Sequence, residues 1–353
     1  MGRRGVVCQH HPQRRRRRTG GDVQGLRRAH QAVAALARAG QCPEHRRGAG
    51  RRRTCGGGRR LARRPFSRSA GPVRGRRRRR TAPGGAALNP KWWWLGLGAL
   101  GGWLALETHW LRLTRLSLSV AGTGGRVRVV QLSDVHGRTR FLNGCLARKV
   151  NALNPDVVCV TGDLVNRRAD LPRVLAELGR IRCSRKYFVP GNWERETQQG
   201  LGKRLTTPEE TAATLRAVSP VARVLLNQGE VITLGGRKVL IYGFDNSLED
   251  LAAYRPPGEA AEVRVLLAHS PLIIGLLRRE QVPFDLLLTG DTHGGQLRVL
   301  GFTRRDVQHW HVGAKTEAGG GVFVISRGLG TVKVPLRLGS PPEIVCADLW
   351  PAG

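Results

Sequence analysis

Five times in this chain a short apolar run stops abruptly on a loop holding Asp, Asn or His, four times with glycine beside it, and that recurrence constrains the fold more than any other feature. VVQLSDVHGR stops on Asp134 and His136, DVVCVTGD on Asp163, and KYFVPGNWE on Asn192. VRVLLAHSP stops on His269, and DLLLTGDTHGGQ on Asp291 and His293. Short apolar runs bounded by turn formers predict buried strands. Polar residues confined to their carboxyl ends lie where open α/β sheets place their sites. Glycine lets the backbone turn sharply and approach an ion closely, while Asp, Asn and His offer the oxygen and nitrogen donors that a divalent cation takes. Each residue has an ordinary explanation on its own: Asp134 as a cap, Asn192 as a turn residue, His269 as a satisfied core histidine. Shared strand context and shared order outweigh those explanations.

Between these runs the periodicity changes. Trp110 to Val120 alternates apolar and polar residues, which predicts a half-buried strand, and Gly122 to Gly125 turns it toward the next one. Phe141 to Leu153 and Leu171 to Ile181 have helical spacing, and Thr207-Pro208-Glu209-Glu210 opens another helix with a cap, a proline at the first position and an acidic first turn. VITLGGRKVLIYGFD predicts a hairpin about Gly235-Gly236. Alternating strands and helices make the region from residue 108 an α/β domain. The 7 cysteines are odd in number and lack CxxC spacing. Cys145, Cys159 and Cys183 fall in expected core elements, which suits structural thiols better than disulfides or zinc ligands.

In order, Asp-x-His, Gly-Asp, Gly-Asn-x-Glu, a lone His and Gly-x-x-His resemble the calcineurin-like metallophosphoesterase family, over about residues 108 to 350. GDTHGGQ and the tail VFVISRGLGTVKVPLRLGSPPEIVCADL carry a finer likeness to its membrane-anchored branch, which includes enzymes resembling UDP-2,3-diacylglucosamine pyrophosphohydrolase. The resemblance implies a four-layer α/β/β/α sandwich and a hydrolase of phosphodiester or pyrophosphate bonds that uses two divalent metal ions. Mn²⁺ is foremost, with Mg²⁺, Fe²⁺ and Zn²⁺ open. Carried over position by position, it puts Asp134, His136, Asp163 and His293 around one ion and Asp163, Asn192, His269 and Asp291 around the other, with Asp163 as bridge. Asp134, Asp163, Asn192 and His293 are then the residues on which catalysis depends most. Two cations would make hydroxide from bound water near neutral pH and neutralise charge on the phosphoryl oxygens. Arg138, Arg167 and Arg168 follow the ligand loops and are candidates to contact anionic groups of the substrate.

Two positions depart from the family pattern. Asp291 stands where a histidine is usual, and a carboxylate there adds a hard oxygen donor that favours Mn²⁺ or Mg²⁺. Trp193 stands where the family has its leaving-group acid, and loss of a general acid typically forfeits roughly 10²–10⁴ in rate unless the leaving group is already good. Pyrophosphate-type substrates supply such a group, and the UDP-2,3-diacylglucosamine enzymes are similar in having Arg rather than His there. His309 and His311 are alternative donors, although a solvent-facing loop suits them better.

The formal charge of +35 is concentrated at the start, where residues 1–90 carry 26 Lys and Arg against 2 acids. That stretch has Phe66 as its one aromatic residue, lacks the interleaved rings of a nucleic-acid surface, and predicts a disordered leader. It is either a basic arm or translation upstream of the true start, since Met1 is the only methionine. Residues 91–107 contain the apolar run Trp92 to Leu106, WWWLGLGALGGWLAL, which predicts a membrane anchor with a tilted helix, a cleaved signal core or a buried helix as alternatives. Arg76 to Arg80 and Lys91 before the run outnumber Arg112 and Arg115 after it, which places the catalytic domain, residues 108–353, outside the cytoplasm. The expected partners are a membrane and a lipid-linked or other phosphorylated small molecule, with no specific nucleic acid. A nuclease or protein phosphatase of the same fold, or a non-catalytic metal-binding module, remain the rival readings.

Overall fold

The computed structural model describes residues 90–200, 202–246 and 251–352, so the leader expected over 1–90 lies outside the described residues apart from Pro90. In chain order, α1 (Pro90–His109) leads into β1 (Arg112–Val120) and β2 (Val127–Leu132), and the short pair β3 (Arg140–Phe141) and β4 (Gly144–Cys145) precedes α2 (Leu146–Asn151). β5 (Val157–Thr161), α3 (Leu171–Gly179), β6 (Lys186–Val189), the hairpin β7 (Glu196–Gln199) and β8 (Gly202–Leu205), and α4 (Pro208–Val218) follow. Next come β9 (Arg223–Val224), β10 (Gln228–Leu234), β11 (Arg237–Gly243), β12 (Val263–Leu267) and α5 (Ile273–Arg279). β13 (Leu286–Thr289), β14 (Gly313–Thr316), β15 (Val322–Ile325) and β16 (Glu343–Pro351) close the chain.

The strands form two six-stranded mixed sheets, ordered β1-β16-β2-β5-β6-β9 and β10-β11-β12-β13-β15-β14. Side chains alternate between the faces of a strand, and neighbouring residues accordingly enter different cores. Val130, Val158 and Phe188 turn outward from the first sheet to meet Leu146 and Val150 of α2 and Val174 and Leu178 of α3. Val129, Cys159 and Val189 turn inward and meet Ile241, Val265 and Leu288 of the second sheet. Leu240, Leu266 and Leu287 leave that sheet's other face to pack with Ile273, Ile274 and Leu277 of α5. Burial on both faces is why β5 and β12 lack a polar alternation.

Several local expectations are met. The β10–β11 hairpin turns on Gly235 and Gly236, with φ of 56° and 81°. Thr207 caps α4 reciprocally, its hydroxyl accepting from Glu210 N at 3.2 Å while Glu210 accepts from Thr207 N at 2.9 Å. Cys145, Cys159, Cys183 and Cys346 are free thiols. Others are corrected. The helix expected over Phe141 to Leu153 is confined to α2, because Leu142 and Asn143 turn the chain between β3 and β4 first, and Gly144 enters β4 at φ 128°. β1 does not lie beside β2: the last strand, β16, enters between them, parallel to β1 and antiparallel to β2.

A membrane anchor is expected over 91–107. A helix forms there, but no helix among the described residues is long and apolar enough to cross a membrane. Four glycines and four tryptophans dilute the leucines of α1. Its last turn is committed to the folded domain, since Glu107 accepts from Gly339 N and Thr108 Oγ1 from Arg337 N.

Candidate metal centre

The candidate ligands stand just past the carboxyl ends of β2, β5, β6, β12 and β13, and the two sheets bring those ends together. Asp134, His136, Asp163, Asp291 and His293 all have positive φ, from 44° to 67°. Such backbone costs roughly 1–3 kcal/mol per residue and persists where the surroundings enforce it, commonly at functional sites. Two glycines admit the crowding. A Cβ on Gly162, where φ is 78°, would lie 2.5 Å from Gly191 N and 2.6 Å from His269 Nδ1. One on Gly191 would lie 2.2 Å from Asp163 Oδ1.

Asp134, His136, Asp163 and His293 are buried, and their donor atoms all lie within 4.8 Å of one another. His136 Nε2 is 3.1 Å from His293 Nε2 and 3.5 Å from Asp163 Oδ2, while His293 Nε2 is 3.4 Å from Asp134 Oδ1. A second group adjoins it through Asp163. His269 Nε2 is 3.4 Å from Asp163 Oδ2, 3.2 Å from Asn192 Oδ1 and 3.7 Å from Asp291 Oδ1. All seven residues singled out as ligands therefore converge, in the two groups expected.

The electrostatics fit cations. Burial lowers His136 to about 4, and burial, His136 and Arg337 hold His293 well below its ordinary value. Both imidazoles are thus held neutral, with their Nε2 atoms 3.1 Å apart. Burial raises Asp134 to about 7 against the pull of His269. Burial opposes charge on Asp163, yet His269 and His136 keep its carboxyl lowered. Burial opposes protonation of His269 too, but Asp163, Asp291 and Asp134 outweigh it and hold the imidazole well above its usual value. His269 Nδ1 faces Thr161 O at 2.8 Å, which directs Nε2 at the carboxylates. Neutral nitrogens and clustered carboxylates in a largely buried pocket are a donor set that would suit a divalent ion, whose binding would require His269 to give up its proton.

Residues around the ligands hold them in place. Glu194 accepts from Gly191 N at 2.6 Å, Asp163 N at 2.9 Å and Leu164 N at 2.9 Å, tying the β5 and β6 loops together. Burial, followed by repulsion from Asp163, raises it to about 7. Asn192 Nδ2 donates to Glu196 at 3.0 Å, which turns its Oδ1 toward His269. Arg337 is fully buried, donates to Gly330 O and Ser340 O, and lies 3.3 Å from His293 Nδ1. Glu196 and Arg337 were missed by sequence reasoning, since a lone charged residue in a polar or apolar stretch carries no spacing signal.

The candidate substrate arginines are dispersed. Arg138 donates to Thr108 O at 2.8 Å at the end of α1, Arg167 to Gln198 at 3.3 Å, and Arg168 binds Glu210 of α4 through both its carboxylate and its carbonyl. Trp193 is half-buried, its ring edge-on to His136 at 5.7 Å, with the Lys203 ammonium 5.6 Å above its centre. Its backbone N–H donates to Asp163 at 2.9 Å. His309 lies tilted against Trp310, their ring centres 4.9 Å apart, Trp310 packs on the outer core beside α5, and His311 Nε2 lies 3.1 Å from Phe323 O. Neither joins the ligand groups.

Comparison with known proteins gives a consistent set of likenesses. A model of the calcineurin-like phosphoesterase family matches residues 127–295. The chain is 30% identical over 274 residues to an uncharacterized metallophosphoesterase of Aquifex aeolicus, covering 71% of this chain and 96% of that one. It is 29% identical over 263 residues to phosphodiesterase YaeI of Escherichia coli, covering 69% and 90%. A bovine transmembrane protein with metallophosphoesterase domain is 28% identical over 241 residues, covering 62% of this chain and 52% of that protein, so the chain spans about half of that relative.

Proposed function

Because the chain belongs to the calcineurin-like metallophosphoesterase family, and is therefore a phosphate ester hydrolase, we propose that it is a two-metal phosphodiesterase or pyrophosphohydrolase acting on an amphiphilic, lipid-linked substrate of the UDP-2,3-diacylglucosamine kind. The observation that carries the two-metal reading is the position of Asp163, whose Oδ2 lies 3.5 Å from His136 Nε2 and 3.4 Å from His269 Nε2. Asp134, His136 and His293 would complete one ligand set, and Asn192, His269 and Asp291 the other. Divalent ions bound there supply acidification of water and neutralisation of phosphoryl charge. The carboxylate of Asp291 favours Mn²⁺ or Mg²⁺.

The protein's own residues supply the rest. Glu194 and Glu196 orient the loops and the Asn192 amide, and Trp193 walls the site beside His136 without a proton to give. Substrates with good leaving groups, pyrophosphates and activated diesters, match that lack. The exposed apolar residues of α1, whose last turn bonds to the Arg337 segment next to His293, support an amphiphilic substrate.

A panel of bis-p-nitrophenyl phosphate, alkyl monoesters, nucleotide sugars with and without acyl chains, nucleic acid and phosphopeptide, each with Mn²⁺, Mg²⁺ and Zn²⁺, tests the reading. Turnover of the activated diester and acylated pyrophosphate with Mn²⁺ is expected. Preference for nucleic acid or phosphopeptide would establish the nuclease or protein phosphatase reading instead, and inertness toward every ester would establish the binding module.

A further inference from the structure

The end of α1 is fastened beside the metal centre through Arg337, which lies 3.3 Å from His293 and whose backbone N–H donates to Thr108. Away from that turn the helix is bare: Trp93, Trp94, Leu97, Leu100, Trp103 and Leu106 are 48% to 74% exposed. A second apolar projection stands on the same frame. Val299 and Phe302 exchange backbone hydrogen bonds of 2.9 Å, closing a tight loop in which Leu300 is 93% and Phe302 73% exposed. The base of this loop pairs with the segment that carries Arg337, Arg298 N donating to Leu338 O at 2.7 Å and Leu338 N to Gln296 O at 2.9 Å. Gln296 also donates to the carbonyls of Val334 and Leu336, whose side chains are 42% and 41% exposed.

One hydrogen-bonded frame therefore presents α1, the tip at Leu300 and Phe302, and Val334 with Leu336, while its inner side holds His293. Exposed apolar groups gathered in this way mark an interaction surface. Arg298, Arg304, Arg305 and Lys333 surround them, against Asp306, which pairs with Arg304. Glu107, at the end of α1, pairs with Arg112. A second copy of the chain packed on this face would meet the same cations with no free acid among those described to answer them, whereas anionic lipid headgroups answer them directly.

We propose that this face docks on an anionic bilayer surface, with α1 lying in the headgroup layer and Leu300 and Phe302 inserted beside it, so that the metal centre is held at the lipid interface. α1 has no basic face of its own: its apolar residues supply the area to be buried, and the arginines and lysine of the neighbouring loops supply the attraction to anionic lipid. The inference rests on the lipid-linked reading of the substrate. Hydrolysis of bis-p-nitrophenyl phosphate, which needs no lipid, reports on the hydrolase separately.

The test uses the full chain with vesicles of phosphatidylcholine, alone and mixed with phosphatidylglycerol, at physiological salt, and is read at the loop itself, so that attraction of the arginine-rich leader alone does not count. Amide hydrogen exchange at 297–302 and 333–338 should slow on adding mixed vesicles. The double variant Leu300→Ser, Phe302→Ser should lower vesicle partitioning by at least about tenfold while leaving diester turnover unchanged. Exchange at 297–302 that ignores lipid overturns the proposal. So does protection of those amides by raised protein concentration without lipid, which would assign the face to a second copy. Lipid-dependent protection in a chain that hydrolyses no ester would leave docking standing and remove the hydrolase reading.

Discussion

Trp193 occupies the place of a proton donor, and its neighbours show what it does there: its edge meets His136 and its face takes the Lys203 ammonium, so it fills and shields one wall of the centre. Without an acid, rate should depend steeply on leaving-group basicity. Trp193→His should raise turnover of alkyl esters selectively, by no more than the roughly 10²–10⁴ that general acids contribute, and a set of phenyl and alkyl diesters of graded leaving-group pKa measures it. Equal wild-type rates on alkyl and aryl esters would mean that another group donates the proton. Asp163 contacts both donor groups whereas Asp291 contacts one, so Asp163→Asn should lower bound Mn²⁺ per chain and turnover more than Asp291→Asn, by at least about 10² beyond the effect of losing an outer partner. Glu196 never reaches an ion in this arrangement but holds the Asn192 amide, so Glu196→Ala should weaken Mn²⁺ binding about 10–100-fold in a titration followed by Mn²⁺ paramagnetic resonance. An unchanged titration would show that the amide is oriented without it.

At the scale of elements, the strand ends are the device that makes the site rigid. β2, β5 and β6 in one sheet and β12 and β13 in the other each terminate on a ligand loop, so five backbone frameworks, not one flexible loop, position the donors. β16 locks the first of them. Arg128 on β2 donates to both carboxylate oxygens of Asp348 on β16, at 2.6 and 2.9 Å, and its hydrogen bonds hold the Asp348 carboxyl below its ordinary value. A carboxyl with a depressed folded pKa contributes stability above its unfolded value, near 3.9, and loses that contribution as pH falls through the folded one. Asp348→Asn should therefore cost about 1–2 kcal/mol at neutral pH and progressively less below that window, as urea midpoints at neutral and acid pH would reveal. A pH-independent cost would assign the effect to packing and not to the ion pair.

For the whole molecule, the three cores set the stability and hold the two sheets in the alignment that the site needs. Phe188 lies on β6, fully buried between the first sheet and its helices, and Phe188→Ala should cost about 3–5 kcal/mol in equilibrium denaturation, a large share of the 5–15 kcal/mol typical of a domain. A loss below about 1 kcal/mol would mean that the outer core collapses around the gap. The strands, the α/β alternation, the Thr207 cap and all seven candidate ligands were legible in the sequence, because each is written locally: an apolar run, a turn former, a donor residue in fixed order. The insertion of β16 between β1 and β2 was not legible, since pairing across some 230 residues leaves no mark in either strand's composition. The limits of α2 were missed because helical spacing continues through Leu142 and Asn143 while the backbone there turns. The character of α1 was half legible: its helicity follows from the run, but its exposure and the fastening of its last turn to Arg337 and Gly339 arise only when distant segments meet. The sequence alone determined which residues could hold ions, through residue type and order. Only the tertiary structure decided that Glu196 and Arg337 steady the ligands, and that the arginines after the motifs turn to α1, Gln198 and Glu210, because such contacts depend on the meeting of chain segments that no local pattern encodes.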